Sequence, residues 1–168
     1  SIRVHVESAW YPFNFIEKGQ ASGYSNDLIR LVARKVGLEI DFIAGYQWNE
    51  YLTKLKNEEI DVITNIKITP SREKYAIYTR YHSLTALDGL LINNKKNVAL
   101  DFSNIDSLAV VEGFSYQESI RNKYPRIRLV ATEDTAESIE KLRLGHVDGV
   151  LDTYDTINFY LQSSTIKG

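Results

Sequence analysis

The sequence predicts an α/β protein built as two small lobes. Two observations carry that reading. Strand-like and helix-like periodicity alternate along the chain, and the alternation is used twice, on either side of a polar stretch at Asn93–Asn97. The chain also has 168 residues, 43% hydrophobic and 25% charged, which is the balance of a water-soluble globular protein with a real core.

Each element follows from local pattern. Ile2–Val6 alternates as a strand, and Tyr11-Pro12-Phe13 breaks away into a loop, with Gly19 and Gly23 marking turns. Leu28, Ile29, Leu31, Val32 and Val36 then recur at helical spacing, with Ser25 or Asn26 as the cap and Gly37 past the end. A strand at Glu39–Ala44, a helix at Trp48–Lys56 and a strand at Ile60–Ile66 complete a strand-helix order that implies a largely parallel sheet. Ala86–Ile92 reads as a strand and closes a first lobe over 1–92, leaving 93–168 as the second. There, strands at Ser107–Val111, Arg128–Ala131 and Val147–Leu151 alternate with helices that start at Ser115, Glu137 and Tyr154. Two such lobes imply a cleft between them and a hinged closure.

Arg72 is the leading functional candidate. The apolar run Val62, Ile63, Ile66 and Ile68 reads as a strand that Pro70 stops, and Ser71 and Arg72 open the turn beyond it. Ligands of open α/β sheets collect outside the carboxyl ends of strands. A guanidinium there grips a carboxylate through two parallel hydrogen bonds.

Composition excludes several function classes. Twenty basic residues against 22 acidic ones give a net charge of −2, which provides no long-range attraction to nucleic acid or anionic membranes. The chain has no cysteine, which removes disulfides, zinc thiolates and cysteine nucleophiles. It also has no methionine, so it is expected to be a processed product or a piece of a longer polypeptide. The three histidines, His5, His82 and His146, have neither metal-ligand spacing nor a nucleophile partner, so no cofactor, metal or catalytic group is expected. Glu7 and Glu112 are the only carboxylates placed to act as bases.

The segments IRVHVESAWYPFNF, GYSNDLIRLVARKVGLEIDF, WNEYLTKLKNEEIDVI, ITPSREKYAIYT, VVEGFSYQESI and LRLGHVDGVLDTYDTINFYL, in that order, resemble the bacterial extracellular solute-binding proteins of family 3. The same domain occurs as a Venus-flytrap sensor of membrane kinases. The resemblance implies a periplasmic-binding-protein-like (type II) bilobal fold in a periplasmic or extracytoplasmic setting. The implied function is binding of a small anionic solute, an amino acid or related organic acid, for an ABC-type permease or an attached membrane signalling domain.

By the same resemblance Trp10 and Trp48 sandwich a ligand side chain, Arg72 is the carboxylate clamp and Thr69 its helper. Asn65 and Lys67 flank the ligand, and Ser115 and Tyr116 receive carboxylate oxygens at a helix start. The chain departs from the family at three points. Thr153 stands where members that bind free amino acids carry an acidic acceptor for the ligand ammonium. Asp152 and Asp155 flank it, and strand alternation turns Asp152 to the opposite face. Lys67 replaces a small hydroxyl residue. The chain also lacks the family's return crossover, so the first lobe is expected to be incomplete and a homodimer could complete it. The alternatives are a dehydratase-like enzyme of the same fold, which would turn over prephenate-like or arogenate-like acids, and a protein-interaction module that binds no solute.

Overall fold

The computed structural model describes residues 1–93 and 102–163. They form two compact units, Ser1–Thr85 and the part from Ala86 onward. Beyond Asn93, the polar stretch read as a boundary lies outside the described residues. The division instead falls before the strand Asp88–Ile92, because that strand pairs within the second unit.

In the first unit β1 (Ile2–His5) lies parallel to β5 (Ile40–Ile43), with Ile2 opposite Ile40 and His5 opposite Ile43. Between them the chain makes a small antiparallel meander, β2 (Ala9–Trp10), β3 (Asn14–Glu17) and β4 (Gln20–Ser22). This meander is absent from the sequence expectation. Its β3–β4 turn is Lys18-Gly19, both at positive φ, the backbone that matches strand twist in a two-residue hairpin.

Helix α1 (Tyr24–Val36) follows, capped by Gly23 rather than by Ser25 or Asn26. Gly23 has φ 99°, and a Cβ there would sit 2.6 Å from the Phe13 carbonyl oxygen, so no other residue fits. Ser25 and Asn26 are instead buried inside the helix. On its outer side α1 exposes Leu31, Val32 and Val36, the last at 63%.

Helix α2 (Trp48–Lys56) has the expected bounds and a capping box between Gln47 and Glu50. The strand expected at Ile60–Ile66 reduces to a single parallel bridge, Val4 to Val62. After Val62 the Thr64 N–H donates to the His5 ring and Asn65 takes a left-handed backbone, φ 56°, which turns the chain off the sheet.

The second unit has a four-stranded sheet in the order β6 (Asp88–Ile92), β9 (Gly149–Thr153), β7 (Ser107–Val111), β8 (Arg128–Thr132). β6 is antiparallel to β9, and the other pairs are parallel. Every residue of β7 and β9 is buried, as a strand covered on both faces requires. One face packs Leu108, Val110 and Leu151 with Tyr116 and Ile120 of α3 (Ser115–Lys123). The other packs Ala109 and Val150 with Leu142 of α4 (Thr135–Arg143), whose N-cap Asp134 accepts from the Glu137 N–H at 2.8 Å.

The last helix, α5 (Tyr154–Gln162), begins directly from β9 and lies close over β6. A Cβ on Gly89 would approach Tyr154 Cα to 2.9 Å. Gly89→Ala must therefore push α5 off the sheet, a strain of about 1–3 kcal/mol. The expected result is a lower melting temperature on circular dichroism, and an unchanged one would show that α5 shifts freely.

Candidate functional site

In the first unit the residues around Arg72 owe their positions to a turn. The Thr69 carbonyl accepts from the N–H groups of Arg72 and Glu73, each at 3.0 Å, and the Arg72 carbonyl accepts from Tyr75 and Ala76. Thr69 Oγ1 pairs with Ser71 Oγ at 2.8 Å and accepts from the Arg72 N–H at 3.3 Å. Pro70 suits such a start because its ring fixes φ and it needs no hydrogen-bond acceptor. Arg72 is only 5% exposed, its Nη1 donates to the Lys67 carbonyl at 2.8 Å, and its guanidinium carbon lies 5.7 Å over the Trp48 ring. The structure thus brings Trp48, Lys67, Thr69 and Arg72 together, with Lys67 contributing its backbone while its side chain is exposed.

Asn65 has a different place. Its amide reaches Ser25 of α1 and accepts from Ser83 Oγ at 2.7 Å, so it ties three segments together. Trp10 packs on Phe13 with ring centroids 4.9 Å apart, and its Nε1 is buried without a hydrogen-bond partner.

A buried polar group that the sequence did not announce lies at the end of β1. Asn14 Oδ1 accepts from the Glu7 N–H and from Asn26 Nδ2, each at 3.0 Å. Asn14 Nδ2 stands 3.4 Å from both Thr64 Oγ1 and His5 Nε2. His5 Nδ1 accepts from the Thr64 N–H, so the neutral ring carries its proton on Nε2, which is 3.7 Å from Glu7 Oε1. Glu7 Oε1 is itself buried without a hydrogen bond. Burial holds His5 down to about 3 and pushes the Glu7 carboxyl up to about 8, so both groups are neutral at pH 7. The only hint in the sequence was a run of polar residues, His5, Glu7 and Asn14, at positions flanking apolar ones.

In the second unit Ser115 opens α3 and is half-buried, with Phe114 as the cap. Tyr116 is a core residue, 6% exposed, whose hydroxyl donates to Asp88 Oδ1 at 2.7 Å. Burial and then the Asp88 carboxylate push its phenol well above the usual range. Thr153 ends β9 and is buried. Asp152 is fully buried; Thr135 Oγ1 donates to it at 2.7 Å and the Thr153 N–H at 2.6 Å. Its carboxylate therefore serves Thr135 and the Thr153 backbone from the face opposite the Thr153 side chain, as strand alternation requires. Glu112 is exposed and accepts from Gln117 Nε2 at 3.1 Å.

A model of bacterial extracellular solute-binding proteins, family 3, matches residues 2–142. The L-cystine-binding protein TcyA of Bacillus subtilis (strain 168) is 25% identical over 99% of this chain and 62% of its own length. The virulence sensor protein BvgS of Bordetella pertussis is 21% identical over 95% of this chain and 13% of its own. Among solved structures, the ancestral amino acid-binding protein AncCDT-1, a precursor of cyclohexadienyl dehydratase, superposes with a TM-score of 0.83 at 21% identity, over 96% of this chain and 74% of that one. The chain thus spans about three fifths of the length of the first curated relative, 62%.

The neutral pair makes stability depend on pH in two opposed ways. Folded Glu7 keeps its proton to about pH 8 while unfolded Glu7 releases it near 4.5, so stability falls as pH rises through that window. Folded His5 stays neutral to about pH 3 while the unfolded ring protonates near 6.5, so stability falls as pH drops through that one. The two slopes cancel between roughly pH 4.5 and 6.5, which leaves a plateau. Chemical denaturation across pH is expected to show the plateau with declines on both sides, and Glu7→Gln is expected to remove the alkaline decline. An alkaline decline of the same size in the variant would assign it to other groups.

Proposed function

The chain belongs to the bacterial extracellular solute-binding proteins of family 3 and has their type II periplasmic-binding-protein fold, and on that premise we propose that it binds a small amino acid or related organic acid. The observation that carries this is Arg72, a guanidinium only 5% exposed, set against the Trp48 ring on a turn that Thr69 and Ser71 fix. Its planar fork matches a carboxylate, and low exposure strengthens the charge-assisted bonds it makes. Trp10 and Trp48 of the same unit supply apolar walls for the rest of the solute.

The relatives include an uptake receptor by name, TcyA, and a sensor by name, BvgS. The loaded chain would accordingly be read outside the cytoplasm, either by an ABC-type permease or by a membrane signalling domain. No described helix is long and apolar enough to cross a membrane. Binding is favoured over dehydratase chemistry because the candidate bases serve the fold. Glu7 is shut in with His5 and Asn14, and Glu112 is held by Gln117.

A thermal-shift screen against L-amino acids, dicarboxylates and other small organic acids tests the reading. A ligand at a hundred times its Kd adds about 2.7 kcal/mol to the folded state, so a true solute raises the melting temperature by several degrees. Arg72→Ala, folded by circular dichroism, should bind that solute at least about a hundredfold more weakly, since two charge-assisted hydrogen bonds are lost. An unchanged affinity in the variant would remove Arg72 from the site.

A further inference from the structure

We propose that His5 is the positioning residue for Arg72: its ring takes the Thr64 N–H out of the β-ladder and so sets the path by which the chain reaches the Arg72 turn. The proposal rests on the binding function argued above only for what the placed guanidinium serves.

The ladder shows the interception. β1 meets the incoming segment at the Val4–Val62 bridge, where the Val62 N–H donates to the Arg3 carbonyl at 3.1 Å and the His5 N–H to the Val62 carbonyl at 3.2 Å. In an evenly spaced parallel pairing the next rung runs from the Thr64 N–H to the His5 carbonyl. The Thr64 N–H instead donates to Nδ1 of the His5 ring at 3.3 Å. Parallel pairing stops there, and Asn65 at once takes its left-handed backbone. Just beyond it, the Lys67 carbonyl accepts from Arg72 Nη1 at 2.8 Å, and Thr69 opens the turn that carries Arg72. The diverted rung therefore stands at the head of the segment that both presents and holds the guanidinium.

The ring is held in place for this task. His5 is 1% exposed, so it acts on a solute only through other residues. It stands edge-on to Trp48 and to Tyr51, with ring centroids 5.8 and 5.2 Å away. Tyr51 is in turn tied to the end of β1 by its hydroxyl, which donates to the Val6 carbonyl at 2.6 Å. These contacts fix the ring plane with Nδ1 towards Thr64. Burial keeps the ring neutral, as an acceptor at Nδ1 requires, since a protonated imidazole has only donors. An aliphatic side chain would pack beside Val4 and Val6 at lower desolvation cost, yet it would give Thr64 no acceptor off the strand. Trp48, which the His5 ring abuts, is also the ring under the Arg72 guanidinium, so His5 borders both supports of that group.

Nitrogen-15 NMR of the solute-free protein tests the proposal, because exchange of the Arg72 guanidinium protons, assigned with Arg72→Lys, reads the placement of that group directly. His5→Phe keeps an aromatic ring against Trp48 and Tyr51 but removes the acceptor. His5→Asn removes the ring but keeps an acceptor, since its amide oxygen falls close to the position of Nδ1. The expected result is exchange at least about tenfold faster in His5→Phe and within about threefold of wild type in His5→Asn. The exposed Arg143, paired with Glu140 in the second unit, should be unchanged in both. Each amino acid or organic acid that stabilises the protein in the thermal-shift screen should bind about tenfold more weakly to His5→Phe and nearly normally to His5→Asn.

An unchanged Arg72 signal in a folded His5→Phe protein overturns the proposal, even if the melting temperature falls. Equal loss in both variants assigns the role to ring packing and overturns it too. If the variants fail to fold, the wild-type protein decides: at pH 7 the His5 ring must carry its proton on Nε2 and accept at Nδ1, and a proton on Nδ1 overturns the assignment. If no compound in the screen binds, the binding function falls, and the guanidinium signal still decides whether His5 places Arg72.

Discussion

One fully buried amide, that of Asn14, holds the first unit in register. An unpaired amide in such a place costs on the order of 1–3 kcal/mol, so its partners must be present whenever the unit is folded. Those partners come from several segments: the Glu7 backbone at the end of β1, Asn26 inside α1, and Thr64 on the other side. Asn14 also stands opposite Trp10 in the β2–β3 pair, and Thr64 precedes the left-handed Asn65 from which the chain runs to Arg72. The aromatic wall and the guanidinium are thus anchored to the same side chain from two directions. A polar hub of this kind specifies one arrangement more sharply than apolar contact does, since its geometry tolerates little slippage.

The second unit is organised on the opposite principle. Its sheet is covered on both faces by aliphatic and aromatic side chains, and its polar groups are pushed to the strand ends, where Asp88, Tyr116, Thr153 and Asp152 meet the helix starts. Hydrophobic burial there sets the frame and hydrogen bonding only the edge. Gly89 shows how tight that frame is, because it leaves no room for a methyl group between β6 and α5.

This difference explains what could be read in the sequence. Elements with an apolar face or fully apolar strands were legible: Trp48–Lys56 and Ser107–Val111 have the bounds that their periodicity implies. The meander of β2 to β4 was not, since its strands are only two to four residues long and carry no alternation of useful length. The Ile60–Ile66 strand failed for a specific reason: its apolar pattern is real, but the Thr64 N–H goes to His5 rather than to a neighbouring strand. The sequence marks Arg72 as a candidate by its place after Thr69-Pro70-Ser71 and by the family resemblance, whereas its burial against Trp48 is visible only in the folded unit. The pairing of Asp88 with Thr153 was not legible, because antiparallel register across that distance leaves no mark in either segment.

The unequal distribution of apolar burial has a dynamic consequence. Both apolar core clusters among the described residues lie in the second unit, whereas α1 turns Leu31, Val32 and Val36 to the outside and buries only Ser25, Asn26 and Ala33. Local opening is cheapest where few apolar contacts must be broken. Amide hydrogens of α1 therefore exchange with solvent through small, frequent openings, while those of β7 and β9 wait for the whole second unit to unfold.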